Sequence, residues 1–330
     1  MELIFADSSL KDIKRIFFAE ADFEIGTKND FEIKINRDEW DSRYFEYGNV
    51  FYIPNSEFGG IIGEIKTDTS LNTTSLLGRT WRGMLDKKII CPFEGQDYYY
   101  VSGEINAVLK KLISSNFDKV FVVPEIDTKV TVSDYKFDRY CTLLSGINKM
   151  LQSVGHKLQI KYIQQERGQA GYVELTCVPI KDYSEKIELS QDSQLNFMFN
   201  QSKNRTNHLI CLGKGELKDR EVIHLYVQKD GTIGNEQYQS GINEIVEVYD
   251  NSSASSGELM EGGIKKLQEL MNVTTFDMDV GKLNINIEIG DIIGGRDYVT
   301  GLYTKKPIVK KIYRFSNEEE SLEYSLEGDD

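Results

Sequence analysis

The chain has 330 residues, of which 40% are hydrophobic and 28% charged, a composition typical of a soluble globular protein with two or three domains. Its formal net charge of −14 opposes a phosphate backbone and argues against a protein that grips nucleic acid through a basic surface. The 18 tyrosines and 16 phenylalanines suit half-buried β-sheet surfaces. No stretch approaches the roughly 20 apolar residues of a membrane-spanning helix, and no signal peptide is evident, so we expect no membrane span.

The first hundred residues predict a series of short strands. Phe31, Ile33 and Ile35 alternate with polar neighbours, which is the pattern of a half-buried strand. Further strands of this kind are predicted at 49–54, 59–67 and 73–80. A short helix is predicted before them, at about 10–18. Short strands at this spacing are typical of a small barrel or sandwich.

The middle of the chain predicts an α+β segment. Apolar residues recur on one helical face over 105–113 and again over 140–154, where Gly155 is a fitting helix end. Ser102 is the expected N-cap of the first of these helices. A β-hairpin is then predicted between 158 and 178.

Strands return from about residue 207. The segments 208–213 and 221–227 flank a glycine-containing turn and predict a hairpin. A third helix follows the polar stretch around 250–258, with Met260 and Ile264 on its apolar face. After this helix the pattern is again that of strands, up to an acidic C-terminus.

The cysteines argue against a metal ribbon or a disulfide framework. They are widely spaced, with no CxxC pair and no histidine at ligand spacing. Each lies in an apolar run, so we expect buried, reduced thiols. The four are Cys91, Cys141, Cys177 and Cys211.

The histidines and the glycine-rich turn carry little chemistry. His156, His208 and His224 form no HExxH or HxH pair, which favours structural or surface roles over metal binding. The segment 213–220 lacks the full GxxxxGK[ST] pattern and is not followed by a helical pattern, which favours a tight hairpin over a phosphate loop.

The remaining candidates are acidic and aromatic. Asp277 and Asp279 alternate with apolar residues, which favours a strand over a cation site. Carboxylate pairs for glycoside cleavage stay open, because 53 acids allow many pairings. The three tyrosines 98–100 can stack on sugars or bases, although a hairpin edge or interface is favoured. We therefore expect no cofactor, no metal and no enzymatic activity.

Four short elements in a fixed order carry a resemblance. They are Gly59-Gly60-Ile61-Ile62, Gly78-Arg79 followed by Leu85-Asp86, Gly213-Lys214-Gly215-Glu216 with Asp219-Arg220, and Ile289-Gly290-Asp291-Ile292-Ile293. Together, and over nearly the whole chain, they resemble the siphophage tail-tip hub family and, more distantly, the baseplate hub proteins of contractile tails. Two positions depart from the family pattern: Lys87 or Lys88 stands for an arginine, and Trp81 for a smaller polar residue.

The resemblance implies an α+β, β-rich fold in which two tube-like β-barrels flank and interleave with an α+β module. We assign the first barrel to 1–100 and the second to 205–230 plus 276–330. The α+β module, with a helical insertion, takes 101–204 plus 231–275.

The resemblance also implies a homotrimer, whose six barrels would form a pseudo-hexameric ring that adapts a sixfold tail tube to a threefold spike or tip. The implied partners are a tail tube or distal tail protein on one face and a spike or tip protein on the other. DNA would pass the lumen without specific binding, helped by acidic side chains.

The implied location is the virion tail tip or baseplate, after synthesis in the bacterial host cytoplasm. Contractile and flexible tails, and phages and bacteriocin-like particles, all remain open. The residues we expect at interfaces or in structural roles are Arg79, Arg82, Asp86, Gly213, Gly215, Asp219, Arg220, Gly290 and Asp291. The three arginines suit pairs between subunits or domains, and ordinary surface positions are an equal alternative.

Two other functions stay open. One is a tail-associated cell-wall hydrolase, for which we expect no room because the chain ends soon after the predicted second barrel. The other is a carbohydrate-binding tail module that uses the tyrosines at 98–100.

Overall fold

The computed structural model describes residues 2–17, 20–117, 120–166, 168–184, 188–189, 197–202, 204–271, 274–279, 287–316 and 319–326. For 188–189, 197–201, 274–279 and residue 304 it describes the backbone alone. The chain divides into two compact units. The first comprises Met1–Phe197 and Asp277–Glu327, and the second comprises Met198–Phe276 and Gly328–Asp330.

The N-terminal strands of the first unit form an antiparallel sheet in the order β2-β1-β5-β6-β7-β4-β3. The strands are β1 (Leu3–Ala6), β2 (Asp12–Ile16), β3 (Glu20–Ile25), β4 (Asp30–Asn36), β5 (Val50–Tyr52), β6 (Gly59–Asp68) and β7 (Thr73–Thr80). The alternation predicted for β4 is confirmed, since Phe31, Ile33 and Ile35 are all buried.

The helix predicted at 10–18 is wrong. Those residues hold β2, which pairs antiparallel with β1 from Leu3 opposite Ile16. Leu10 has a φ of 65° and turns the chain between the two strands. The hydrogen bonds of this hairpin, which local spacing does not reveal, decide the structure there.

The α+β part follows in the same unit. Its elements are α1 (Trp81–Asp86), β8 (Tyr100–Glu104), α2 (Ile105–Ser114), β9 (Phe121–Val122), β10 (Thr131–Lys136), α3 (Leu143–Gln152), β11 (His156–Ile163) and β12 (Tyr172–Pro179). The two predicted helices and the β11–β12 hairpin are confirmed. Glu104, rather than Ser102, caps α2, because its Oε2 accepts the N–H of Ala107 at 2.8 Å. Gly155, with a φ of 69°, follows α3 as expected.

Two short strands, β13 (Glu188–Leu189) and β14 (Phe197–Gln201), precede the sheet of the second unit. This unit contains β15 (His208–Leu212), β16 (Val222–Val227), β17 (Ile233–Gly234), β18 (Val246–Asp250) and α4 (Ser256–Leu270). Its four strands have the order β17-β16-β15-β18, and α4 packs on one face of the sheet. The predicted hairpin and helix are therefore confirmed.

The C-terminal strands return to the first unit. They are β19 (Thr274–Asp279), β20 (Ile292–Arg296), β21 (Tyr303–Phe315) and β22 (Glu320–Leu326). β21 pairs antiparallel with β22, β20 and β3. The β3–β21 pairing runs from Ile25 opposite Lys311 to Ala21 opposite Phe315, and it joins the two ends of the chain in one sheet.

The strands pair differently from the predicted grouping. Residues 208–227 do not pair with the C-terminal strands among the described residues; β15 pairs in parallel with β18 instead. The apolar side chains of β15 and β16, such as Leu209 and Leu225, are buried with Leu259 and Leu267 of α4. This shared core keeps 205–230 with 231–271, which the sequence had assigned to another module.

Two hydrophobic cores of the first unit can be described from the residues that the structure describes. One contains the helices α2 and α3 and reaches the strands through Tyr52, whose ring stacks on Tyr162 at 3.7 Å. The other lies inside the sheet, where Phe23 stacks on Tyr313 across the β3–β21 seam at 6.2 Å. The expected fold class, α+β and rich in strand, is confirmed.

Candidate functional site

The junction between the sheet and the α+β part is built around a buried arginine. Thr80 caps α1, and this short helix holds Arg82 at 4% exposure. Arg82 Nε donates to Glu57 Oε2 at 3.0 Å, and its Nη2 donates to the carbonyl of Leu158 at 3.3 Å. Arg82 therefore binds together the β5–β6 loop, α1 and β11.

A second ion pair joins β11 to the turn before β20. Lys157 Nζ lies 2.7 Å from Asp291 Oδ1 and 3.0 Å from Glu288 Oε2. Asp291 is fully buried and also accepts the N–H groups of Lys181 and Glu288, both at 3.0 Å. These bonds compensate the cost of keeping its carboxylate out of water.

Glu288 shares the charge of Lys157. Burial raises the pKa of Glu288, but the Lys157 charge and hydrogen bonds from Lys157 and Gln159 outweigh it and hold the pKa below its usual value. Gln159 Nε2 donates to Glu288 Oε1 at 2.9 Å. Glu288 is thus an ionised member of the same network.

Gly290 allows this turn to approach β11. Its φ is 89°, in the left-handed region, and an added Cβ would lie 3.1 Å from the Cβ of Lys157. A side chain at this position would push Lys157 away from Asp291.

Lys311 of β21 is the third buried cation of the network, at 6% exposure. Its Nζ lies over the rings of Phe58 and Tyr324, at 5.1 and 5.7 Å from their centroids. Burial lowers the pKa of Lys311, opposed by the carboxylates of Glu57 and Glu288. Among the described residues, no carboxylate lies within ion-pair distance of it.

Two small cavities flank this network. One, of about 170 Å³, is lined by Arg82, Lys157 and Gly290, and the other, of about 200 Å³, by Glu57, Glu288 and Lys311. We define the junction network as Glu57, Arg82, Lys157, Glu288, Asp291 and Lys311. It contains three acids and three bases, so the formal charges cancel.

The outer face of the sheet across β22, β21, β3, β4, β7 and β6 is charged. Alternation puts core residues on one face, and the opposite face carries Glu20, Asp22, Glu24, Asp30, Glu32, Glu64 and Glu323 with the bases Lys34, Lys66, Arg79, Lys310 and Arg314. Acids outnumber bases there. Burial, together with the nearby charge of Glu24, raises the pKa of Asp30. Arg314 offsets part of the repulsion, because it pairs with Asp22 at 2.9 Å and with Glu323 at 2.6 Å.

The predicted interface residues outside the junction network lie at three places: on β7, at the end of α1 and in the β15–β16 turn. Arg79 is exposed on β7 and Asp86 is half-buried at the end of α1. Gly213 and Gly215 shape the β15–β16 turn in the second unit, and Gly215 has a φ of 103° that confirms the hairpin role.

Asp219 and Arg220 lie in the same turn. Asp219 ends a short 3-10 helix, and Arg220 donates to the carbonyl of Gly213 and pairs with Asp250. Of the nine predicted residues, the structure thus brings only Arg82, Gly290 and Asp291 to the junction. Glu57, Lys157, Glu288 and Lys311 were missed, because nothing in the sequence around them distinguishes them from charged surface residues.

Among the described residues, no group of three histidine, cysteine, aspartate or glutamate side chains is placed to hold a metal ion. His208 Nε2 and His224 Nδ1 lie 2.8 Å apart, a contact that their spacing did not predict. Cys177 and Cys211 are buried as expected, but Cys91 is exposed, which corrects that expectation. The chain leaves the core directly after Ile90, which is buried.

The aromatic and acidic candidates stay predictions. Tyr98 and Tyr100 contact edge to face at 6.5 Å, and Lys136 lies over the Tyr98 ring at 4.5 Å. Asp277 and Asp279 lie on β19, as the strand prediction requires, and their side chains fall outside the described residues. In the part of the chain that the structure describes, no helix is long and apolar enough to span a membrane.

The fold is that of phage tail and baseplate proteins. A 43 kDa tail protein of prophage MuSo2 from Shewanella oneidensis aligns with a TM-score of 0.53 and 11% identity, covering 99% of this chain and 98% of its own. A tail protein from Neisseria meningitidis MC58 aligns with a TM-score of 0.52 and 14% identity, covering 98% and 95%. A chain of the p2 virion baseplate in its activated conformation has a TM-score of 0.50 and 9% identity, covering 100% and 99%.

No protein-family model matches the chain, and no curated protein matches it in sequence. The likeness is therefore one of fold. It covers both units of the chain and nearly the full length of each related structure.

Proposed function

We propose that this chain is a structural hub protein of a phage-type tail tip or baseplate, without enzymatic activity, and that three copies form a ring. The observation that carries the proposal is the β3–β21 seam, which joins strands from the two ends of the chain edge to edge in one sheet. The full-length likeness in fold to tail and baseplate proteins supports the same function.

The seam gives each subunit two neighbouring groups of strands. The first is β1 to β7, and the second is β20, β21 and β22 with the short strands β13, β14 and β19. We propose that these groups are the two barrel-like modules of the hub, so that three chains present six. A sixfold tube then meets six similar surfaces, while a spike or tip meets true threefold symmetry.

We assign the charged outer face of the sheet to the lumen. That face crosses the seam without interruption and carries more acids than bases. Carboxylates there would weaken contact with DNA phosphates and let DNA slide through the channel. This is the role that the net charge of −14 suggests for the whole chain.

The junction network gives the ring its rigidity. It fixes the α+β part against both strand groups through β11, α1 and the turn at Gly290. Breaking a buried ion pair leaves an uncompensated charge, so the pairs Arg82–Glu57 and Lys157–Asp291 hold these elements in place. The proposed neighbours are a tail tube or distal tail protein and a spike or tip protein, and the proposed location is the virion tail tip or baseplate.

The proposal is tested by the mass of the assembled protein. Mass photometry of the full chain over a range of concentrations should give a species of three times 37.8 kDa. A monomer at every concentration, also in the presence of assembled tail tubes, would contradict the ring.

A further inference from the structure

One face of the sheet in the second unit, which we call the open face, is covered only in part: His208 is 7% exposed and bonds to Glu244, whereas valines of the same face are exposed. α4 packs on the face that carries Leu209 and Cys211. On the other face the register places Ile210 between His224 and Val248, and Leu212 next to Val222. Val222 and Val248, on the two strands that flank β15, are 47% and 60% exposed, so this face presents apolar side chains to solvent.

The edge of this sheet is also open. β18 is the last strand in the order β17-β16-β15-β18, and among the described residues it pairs with β15 alone. Its sequence, Val246 to Asp250, contains no lysine, proline or bulge, which are the usual means of blocking an edge strand. Val246 and Val248, 43% and 60% exposed, both belong to the open face.

The chain around this edge is mainly acidic, although Arg220 of the β15–β16 turn pairs with Asp250. Between residues 230 and 264 the chain has no lysine or arginine. The same segment contains seven acids, namely Asp230, Glu236, Glu244, Glu247, Asp250, Glu258 and Glu261. Three of them, Glu244, Glu247 and Asp250, lie on β18 or directly before it.

We infer that β18 and the open face bind an extended basic segment of another protein, which adds to the sheet as a fifth strand. The backbone of the segment would hydrogen-bond to the free edge of β18, and its apolar side chains would cover Val246 and Val248. Its alternating lysine or arginine side chains would face Glu247 and the neighbouring acids.

A second copy of this chain fits the edge less well. Two β18 strands placed side by side would bring the carboxylates of Glu247 and Asp250 close to those of the second copy, and like charges directly opposite are destabilising in a sheet. The site belongs to the second unit and does not depend on the ring proposed above.

The test uses the full chain and two labelled ten-residue peptides, one of alternating lysine and valine and one of alternating glutamate and valine. We expect only the lysine peptide to raise fluorescence anisotropy, with binding that weakens as salt increases. Hydrogen exchange should slow at residues 246–250. The double variant V246S/V248S should bind at least about tenfold more weakly, because it removes the apolar contact.

The matched control is V299S, which alters an 82% exposed valine in the first unit and should bind like the parent chain. Four outcomes would overturn the inference. They are binding of neither peptide, equal binding of both, protection outside β18, and a self-association of the chain that V246S/V248S abolishes. The last would show that a second copy occupies the edge.

Discussion

Lys157 and Asp291 form an ion pair of 2.7 Å in which neither side chain is more than 4% exposed. The pair connects β11 of the α+β part with the turn that leads into the C-terminal strands. Out of water, each charge depends on its partner, because solvent cannot replace it. The exposed pair of Lys110 and Glu125 has no such dependence.

Replacing Arg82 by methionine should destabilise the fold. R82M leaves the carboxylate of Glu57, 9% exposed, without its cation, and breaking a buried pair costs about 3–5 kcal/mol. The measurement is the urea midpoint with its m-value. The double variant R82M/E57Q should recover part of the loss, whereas K110M should leave the midpoint unchanged. Equal losses in R82M and K110M would show that burial of the pair is unimportant.

Replacing Lys311 by methionine should stabilise the fold at pH 7, by about 1–2 kcal/mol, because it removes a buried ammonium that burial already disfavours. Since the pKa of Lys311 is lowered in the folded state, the unfolded chain binds more protons between the folded and the unfolded pKa. The stability of the parent chain should therefore rise with pH towards 10.5, and that rise should be absent in K311M. If K311M were less stable than the parent chain, the favourable contacts of the Lys311 ammonium would outweigh the free-energy cost of its desolvation.

Gly290 should tolerate alanine poorly. Both Gly290 and Gly301 have positive φ, at 89° and 71°, but only Gly290 has a side chain close by, with Lys157 Cβ at 3.1 Å from an added Cβ. G290A should cost about 1–3 kcal/mol, and G301A should cost only the backbone part of that. Thermal unfolding of the two variants gives the difference. Equal losses would indicate that Lys157 moves aside freely.

Glu288 should make the fold sensitive to acid. Its folded pKa lies below 4.5, so its contribution to stability is complete above the unfolded pKa and is lost as pH falls through the folded pKa. The difference in unfolding free energy between the parent chain and E288Q should be constant above about pH 5.5 and shrink below pH 4.5. A difference that does not change between pH 7 and 3 would show that Glu288 is not the acid concerned.

Local pattern predicted the regular elements well. Helical spacing placed α2, α3 and α4, and alternation placed β4 and the β15–β16 hairpin, because each depends on neighbours a few residues away. The N-terminal segment at 10–18 failed because pairing with β1 overrides local spacing. The core that β15 and β16 share with α4 was not visible in the sequence, because it depends on contacts between distant residues.

The junction network was only half visible in the sequence. Arg82, Gly290 and Asp291 lie in motif elements that carried the family resemblance. Lys157 and Lys311 occupy alternating strand positions that look like solvent-facing lysines, and only the folded chain shows that both are buried. A charged residue becomes part of a buried network through contacts between segments that are distant in the sequence. The local spacing of residues does not predict such contacts.

The central claim is that the strand groups on the two sides of the β3–β21 seam are equivalent modules of one ring. A reconstruction of the assembled chain by cryo-electron microscopy measures this directly. We predict threefold symmetry with six similar lobes around a channel lined by Asp22, Glu32 and Glu323. A ring with three lobes, or a channel lined by another face of the sheet, would contradict the account.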